Sequence, residues 1–290
     1  MIEKALYEHL KSQTELTDFL GLYADAPAVF NQEAPADNDP QWGAGPQYSR
    51  IVFAVDIQGD PERAMGGTLA VDILCNGDEQ FPEEIEPIVR KLIHGWFFSG
   101  EAITVAAQWK NSSYFTQQTD EVTGCTLAFE LLAFPVITTE SPDIIARINE
   151  WTSHRFQNLH VINHDQLPKA AWKPEGEDSA VYWRYVTDAP AGWIPDTFQT
   201  IWRTATVRCH IFSEDNAIAA SVSRELIRRL YSDKRILKPG ETPIMVNRRN
   251  TVDNGADPLR TGQVSVEATY AIVVHFDEEN TLQHLTSNQK

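Results

Sequence analysis

Hydrophobic positions along this chain fall into two successive sets of amphipathic segments, and the second repeats the order of the first at an offset of roughly 135 to 140 residues. Ile2, Ala5, Leu6, His9 and Leu10 form a helical stripe at the start, and Ile144, Ile145, Ile148 and Trp151 form one of similar length after Pro142. Further on, residues 83–98 place Ile85, Ile88, Val89, Leu92, Ile93, Trp96 and Phe97 on one face at steps of three and four. Residues 216–231 do the same with Ile218, Val222, Leu226, Ile227, Leu230 and Tyr231. Both segments are predicted helices.

Strand patterns precede each of these helices: TLAVDILC (Thr68 to Cys75) and TATVRCHIF (Thr204 to Phe212), short and β-branched with polar residues at alternate positions. A pair of strands follows each helix, ITVAAQ then TGCTLAFELLAF, and PIMVNRR then TGQVSVEATYAIVV. Thr123-Gly124 and Thr261-Gly262 open the two closing strands. Past that match the alternation runs out of phase, since Leu127, Phe129 and Leu131 fall opposite Ser265, Glu267 and Thr269, so a bulge or a slip is expected in one copy. The first copy carries an extra alternating run, RIVFAVDI (Arg50 to Ile57), and AVYWRYV (Ala180 to Val186) is aligned instead with AVFNQ at Ala28.

Shared order over at least five elements predicts an α+β protein of two similar domains, residues 1–138 and 139–290, each a mainly antiparallel sheet with packed helices. The length of 290 residues and a 42% hydrophobic content suit two cores of ordinary size. No apolar run approaches the roughly 18 residues of a membrane span, and the first segment is acidic rather than a basic export signal, so no membrane association is expected. Cys75, Cys125 and Cys209 are odd in number and embedded in strand patterns, as core thiols of a reducing compartment are. A net charge of −17 argues against a grip on phosphate backbones and is compatible with a wall past which DNA slides.

Catalytic signatures are missing: there is no Gly-rich phosphate loop, nucleophile elbow, Cys-x-x-Cys pair or HExxH helix. His154, His160, His164 and Asp165 are the best metal candidates. Val161 and Ile162 between the histidines favour extended structure, in which a helical ligand spacing dissolves, so neither a metal nor a cofactor is expected. Glu83 and Glu84 read as first-turn acids after Pro82 that complement a helix dipole rather than as an acid/base pair.

Arg224, Arg228 and Arg229 near the end of the second amphipathic helix admit two readings, a docking patch or a polar face whose cations favour a helix C-terminus. Arg248 and Arg249 close a strand before the irregular run NTVDNGADPLRTG, and its counterpart in the first copy is WKNSSYFTQQTDEVTG, opening at Trp109. Two strands joined by about a dozen polar residues in both copies suggest a hairpin arm or tip that serves binding or assembly. These arginines and Trp109 are the candidate interface residues. Trp42, Trp172, Trp183 and Trp193 fall in loop-rich or strand-edge segments, as interface anchors or as packing under loops.

On IEKALYEHL, QYSRIVFAV, LAVDILC, EEIEPIVRKLIHGWF and TGCTLAFELLAFPV in the first half, and IIARINEW, VYWRYVTDAPAGWIP, ATVRCHIF, AIAASVSRELIRRLY and TGQVSVEATYAIVV in the second, each half resembles the tail terminator or tail completion proteins of long-tailed bacteriophages. The resemblance implies a virion protein, assembled in the host cytoplasm, that forms a ring capping the tail tube and joins it to the head-side connector. It implies no catalytic residues, and DNA passes through the ring without specific binding. Family members are single-domain, so this chain resembles two fused; either three chains form a pseudo-sixfold ring or six chains form a hexamer. The competing expectation is a two-lobed ligand-binding or metal-dependent α+β protein with a cleft between the copies, using His160, His164 and Asp165.

Overall fold

A computed structural model describes residues 2–44, 47–58, 66–77, 80–117, 122–135, 142–162, 167, 169–236, 242–256 and 261–273. Along the first half run α1 (Ile2–Lys11), α2 (Thr14–Thr17), β1 (Leu22–Tyr23), β2 (Ala26–Pro27), β3 (Val29–Asn31), β4 (Arg50–Gln58), β5 (Gly66–Asn76), α3 (Pro82–Ile93), β6 (Phe97–Ser99), β7 (Ile103–Gln117) and β8 (Val122–Pro135). The second half holds α4 (Ile144–Arg155), β9 (Leu159–Val161), β10 (Ala171–Trp172), β11 (Ser179–Pro190), β12 (Thr200–Ser213), α5 (Asn216–Asp233), β13 (Arg235–Ile236), β14 (Ile244–Val246), β15 (Thr251–Val252) and β16 (Val264–Val273). The chain is α+β, with two similar sheet domains.

Strand order shows the repetition directly. The first sheet runs β10-β6-β7-β8-β5-β4-β3 and the second β13-β14-β16-β12-β11-β9, with β15 also on β16. Among the described residues each sheet has a single parallel pairing, at its far edge: β3 with β4, and β9 with β11. Thus β3, β4, β5, β8, β7 and β6 correspond to β9, β11, β12, β16, β14 and β13, while α1 and α3 correspond to α4 and α5. Clustering of contacts gives two compact units, Met1–Ile137 with Asp165–Glu175, and Thr138–His164 with Gly176–Lys290. The segment Asp165–Glu175 therefore belongs to the first unit, although the chain on either side of it belongs to the second.

Each core is sealed by the faces that the alternation marks. In unit 1, Ile2, Leu6 and Leu10 of α1 and Ile85, Val89 and Leu92 of α3 are buried with Ile51, Phe53, Val71, Ile73, Leu127 and Phe129 of the sheet. In unit 2, Ile144 and Ile148 of α4 and Leu226 and Leu230 of α5 are buried with Val181, Trp183, Val207, Cys209, Val264 and Val266. Burying such a side chain is worth about 1.5–3 kcal/mol, so these two sets are the main stabilising terms of their units. Asp143 caps α4 by accepting from the Ala146 N–H (2.9 Å), and Asp215 caps α5 by accepting from that of Ala217 (2.8 Å).

Four expectations change. The run Arg50–Ile57 is not an addition to the first copy, because β4 is the partner of β11, the AVYWRYV strand; AVFNQ contains β3, whose counterpart is β9. The α3 helix stops at Ile93 because Gly95 takes a left-handed φ of 78°, which turns Trp96 and Phe97 out of the helical stripe and Phe97 into a strand. The polar run after Trp109 is strand rather than loop: β7 pairs with β8 from Asn111↔Ala128 to Gln117↔Val122, with a bulge between Trp109 and Asn111. In unit 2, Arg248 and Arg249 follow β14, which ends at Val246, and lie in the bend before β15.

The phase slip also has a local cause. Cys125 pairs with Ile73 and Val264 with Cys209, so the second closing strand is displaced by one residue from the Thr-Gly match. Gly262 adopts a φ of 78° there. The Gln263 carboxamide then stands in for a strand partner, accepting from the Ile211 N–H (2.9 Å) and donating to the Ile211 carbonyl (2.8 Å).

Candidate functional site

The arginines of α5 divide by role. Glu225 receives both Arg228 Nε and Nη2 and also Arg229 Nε, all at 2.7 Å. Hydrogen bonds from Arg228 and then Arg229 hold the Glu225 carboxyl down at about 2. Arg229 also donates to the Arg155 carbonyl (3.0 Å), and its guanidinium lies 4.9 Å from the Phe156 ring, which ties α5 to the end of α4. Arg229 is thus a packing residue. Arg224 and Arg228 are exposed on a stripe continued by Tyr231, whose hydroxyl donates to the Arg248 carbonyl (2.9 Å). That bond brings exposed Arg248 and Arg249 beside the end of α5, so four of the five predicted arginines share one region of unit 2.

Trp109 belongs to unit 1 and is a packing residue too. Its backbone N–H donates to His94 Nδ1 (3.1 Å), its Nε1 to Ser112 Oγ (3.0 Å), and the Arg90 guanidinium lies 4.9 Å from its ring. Ser112 in turn donates to Glu86 Oε1 (2.6 Å). This network fixes the bulge of β7 against α3.

Of the metal candidates, His164 and Asp165 lie outside the described residues. His154 is exposed on α4, and His160 on β9 stands 3.8 Å from Asp178. Among the described residues no group of three His, Cys, Asp or Glu could hold a metal ion. The three cysteines are buried, and burial raises the thiol of Cys125 to about 11, so these thiols stay protonated near neutrality.

The tryptophans split four ways. Trp183 is buried and donates through Nε1 to Thr152 Oγ1 (3.1 Å). Trp42 is buried against Tyr23 and Phe30, with ring centroids at 5.0 and 5.7 Å. Trp172 of β10 covers Phe97 at 5.8 Å, and Phe97 stacks on Phe134 at 6.4 Å. Trp193 is 64% exposed and stands with Phe198, 76% exposed, in the turn between β11 and β12. The strands below that turn are braced by Asp188, which accepts from Arg203 Nε (2.9 Å) and from the Tyr270 hydroxyl (2.6 Å). Largely exposed aromatic side chains on a braced hairpin are suited to contact with a protein partner.

A cleft of ≈470 Å³ opens in unit 2 between α4 and β13. Arg147, Arg155 and Arg235 line it with Trp151, and Asp233 holds one wall by accepting from Trp151 Nε1 (2.8 Å) and Arg155 Nε (3.0 Å). Arg147 is 4% exposed and donates to the Thr242 carbonyl. His154 and Glu150 complete the rim, so cations outnumber acids here in a chain of net charge −17. Sequence reasoning missed this cleft because its residues come from positions along α4 and, about 80 positions later, from the last residue of α5 and a two-residue strand. It also missed Phe198, whose exposure follows from the hairpin and not from its neighbours in sequence.

Among the described residues, no helix is long and apolar enough to cross a membrane. Comparison with protein-family models, with curated proteins and with solved structures returns no match.

Proposed function

We propose that the protein is a structural virion component that forms a ring at the end of a phage tail tube and joins it to the head-side connector. The observation that carries this reading is the repeated strand order of the two units, which gives the chain two domains of one design. A ring closes when each domain offers two different faces that meet head to tail, and a fused pair lets alternate contacts differ. Three chains would then supply six domains.

Two further features support the reading. The exposed Trp193 and Phe198 and the arginine stripe of Arg224, Arg228, Arg248 and Arg249 are surfaces suited to subunits or to the tail tube protein. The net charge of −17 suits a lumen that DNA traverses without adhering.

Size-exclusion chromatography with light scattering and metal analysis on the full chain tests the proposal. A discrete oligomer free of stoichiometric metal is expected. A monodisperse monomer carrying one metal per chain would overturn it in favour of a ligand-binding or metal-dependent protein.

A further inference from the structure

A strand completes the outer edge of the first sheet, and a cleft takes its place in the second. In unit 1, β10 adds to β6 with Ala171 opposite Phe98 and Trp172 opposite Phe97, and the Ser99 N–H donates to the Ala170 carbonyl (2.8 Å). β10 also touches α1, so it lies beside both that helix and β6. Their counterparts in unit 2 are α4 and β13, and between these opens the cleft of Arg147, Arg155 and Arg235. The Val246 N–H donates to the Lys234 carbonyl (3.0 Å) as the Ala107 N–H donates to that of Trp96 (3.0 Å), which puts Arg235 in the place of Phe97. Backbone groups alternate direction along an antiparallel ladder, so the Arg235 N–H and carbonyl point away from β14, to the outer edge. Among the described residues no strand pairs with that edge.

We propose that this edge is completed by the segment that follows β16, residues 275–280 of the same chain, paired antiparallel with β13. The described residues stop at Val273, and the sequence runs on to Lys290. The end of β16 lies close to the cleft. Thr242 Oγ1 donates to the Ala271 carbonyl (2.9 Å), and the Thr242 carbonyl accepts from Arg147, the buried arginine of the cleft wall. Crossing β14 and β13 takes two strand spacings, about 9.5 Å, and an extended chain covers about 3.3 Å per residue, so residues 274–277 span it. The direction also fits: β13 is antiparallel to β14 and β14 to β16, so a chain folding back from β16 meets β13 antiparallel, as β10 meets β6. Charge agrees with both. Residues 274–289 carry Asp277, Glu278 and Glu279 and no Lys or Arg, and the cleft is the place where cations outnumber acids. The short covalent link gives this segment an effective concentration of about millimolar at the cleft, which favours it over the same segment of a second copy. A single chain can make this pairing whether or not it assembles.

Hydrogen exchange of the full chain, read by mass spectrometry, tests the pairing in wild type, in Arg235→Glu and in the triple variant Asp277→Asn, Glu278→Gln, Glu279→Gln. In wild type the amides of residues 276–280 and of Arg235 are expected to exchange at least about tenfold more slowly than in free peptide, and equally at every protein concentration. Both variants are expected to lose most of that protection. Arg235 is exposed, and circular dichroism checks that the variants keep the wild-type fold. Residues 276–280 exchanging at the free-peptide rate in wild type would overturn the pairing, as would protection that neither variant changes. An effect of only one variant would give the edge or the segment a different partner and overturn it as well. Protection lost on dilution would assign the contact to a second copy and overturn the pairing within one chain.

Discussion

Arg235 stands in the second sheet where Phe97 stands in the first. Phe97 is buried between Phe134 and Trp172, while Arg235 is exposed at the mouth of a cleft. One ladder position thus serves as packing in one copy and as an open edge in the other, a difference that follows from where residues 169–173 pair rather than from the strands themselves.

Removing the ring that covers Phe97 should weaken unit 1. Trp172→Ala is expected to lower its stability by about 2 kcal/mol, below the roughly 3–5 kcal/mol of a fully buried Trp because Trp172 is only half-buried. Urea denaturation followed by hydrogen exchange on β6 and β7 reads the effect. A loss below about 0.5 kcal/mol, within the usual range for a neutral surface change, would show that Trp172 does not hold the edge.

The carboxamide of Gln263 substitutes for a missing strand partner, so its replacement should cost more than its size suggests. Gln263→Met keeps the length and leaves the Ile211 N–H and carbonyl unpaired in a buried site, a penalty of about 2–4 kcal/mol. Chemical denaturation of unit 2 checks this. A variant as stable as wild type would mean that the slipped register is held by Gly262 and the ladder alone.

Glu225 gives a pH dependence with a defined sign. Its carboxyl is held at about 2 against an ordinary 4.5 by Arg228 and Arg229. A carboxylate depressed in the folded state stabilises it above the unfolded value and loses that contribution as the pH falls through the folded one. The denaturation midpoint of wild type should therefore fall toward that of Glu225→Gln between pH 4.5 and about 2. The group is exposed, so the difference is small and shrinks further in salt. A difference that stays constant over this window would contradict the assignment.

The helices and most strands were legible because their signals are local. The stripe Ile2, Ala5, Leu6, His9 and Leu10 is the buried face of α1, and the alternation in Thr68–Cys75 and Thr204–Phe212 is the buried face of β5 and β12. What misled depends on distant partners. Asn111 to Gln117 looks like a polar loop, yet it is strand because β8 pairs with it along its length. Arg50–Ile57 was matched to nothing because its counterpart, Ser179–Pro190, is preceded by a loop that departs to the other sheet. The arginine patch was half legible: sequence places Arg224 and Arg228 on one stripe, but only the Tyr231 bond to Arg248 brings the second pair beside it. Arg229 and Trp109 make contacts within their own units, to Arg155 and Phe156 and to His94 and Ser112, that their residue types alone do not announce.

Electron microscopy of the purified full-length protein, paired with native mass spectrometry of the same particles, tests the central claim most directly. The account predicts closed rings with a central hole and twice as many domains as chains, three chains in a six-domain ring. Particles that remain single chains at every concentration, with no ring, would contradict it.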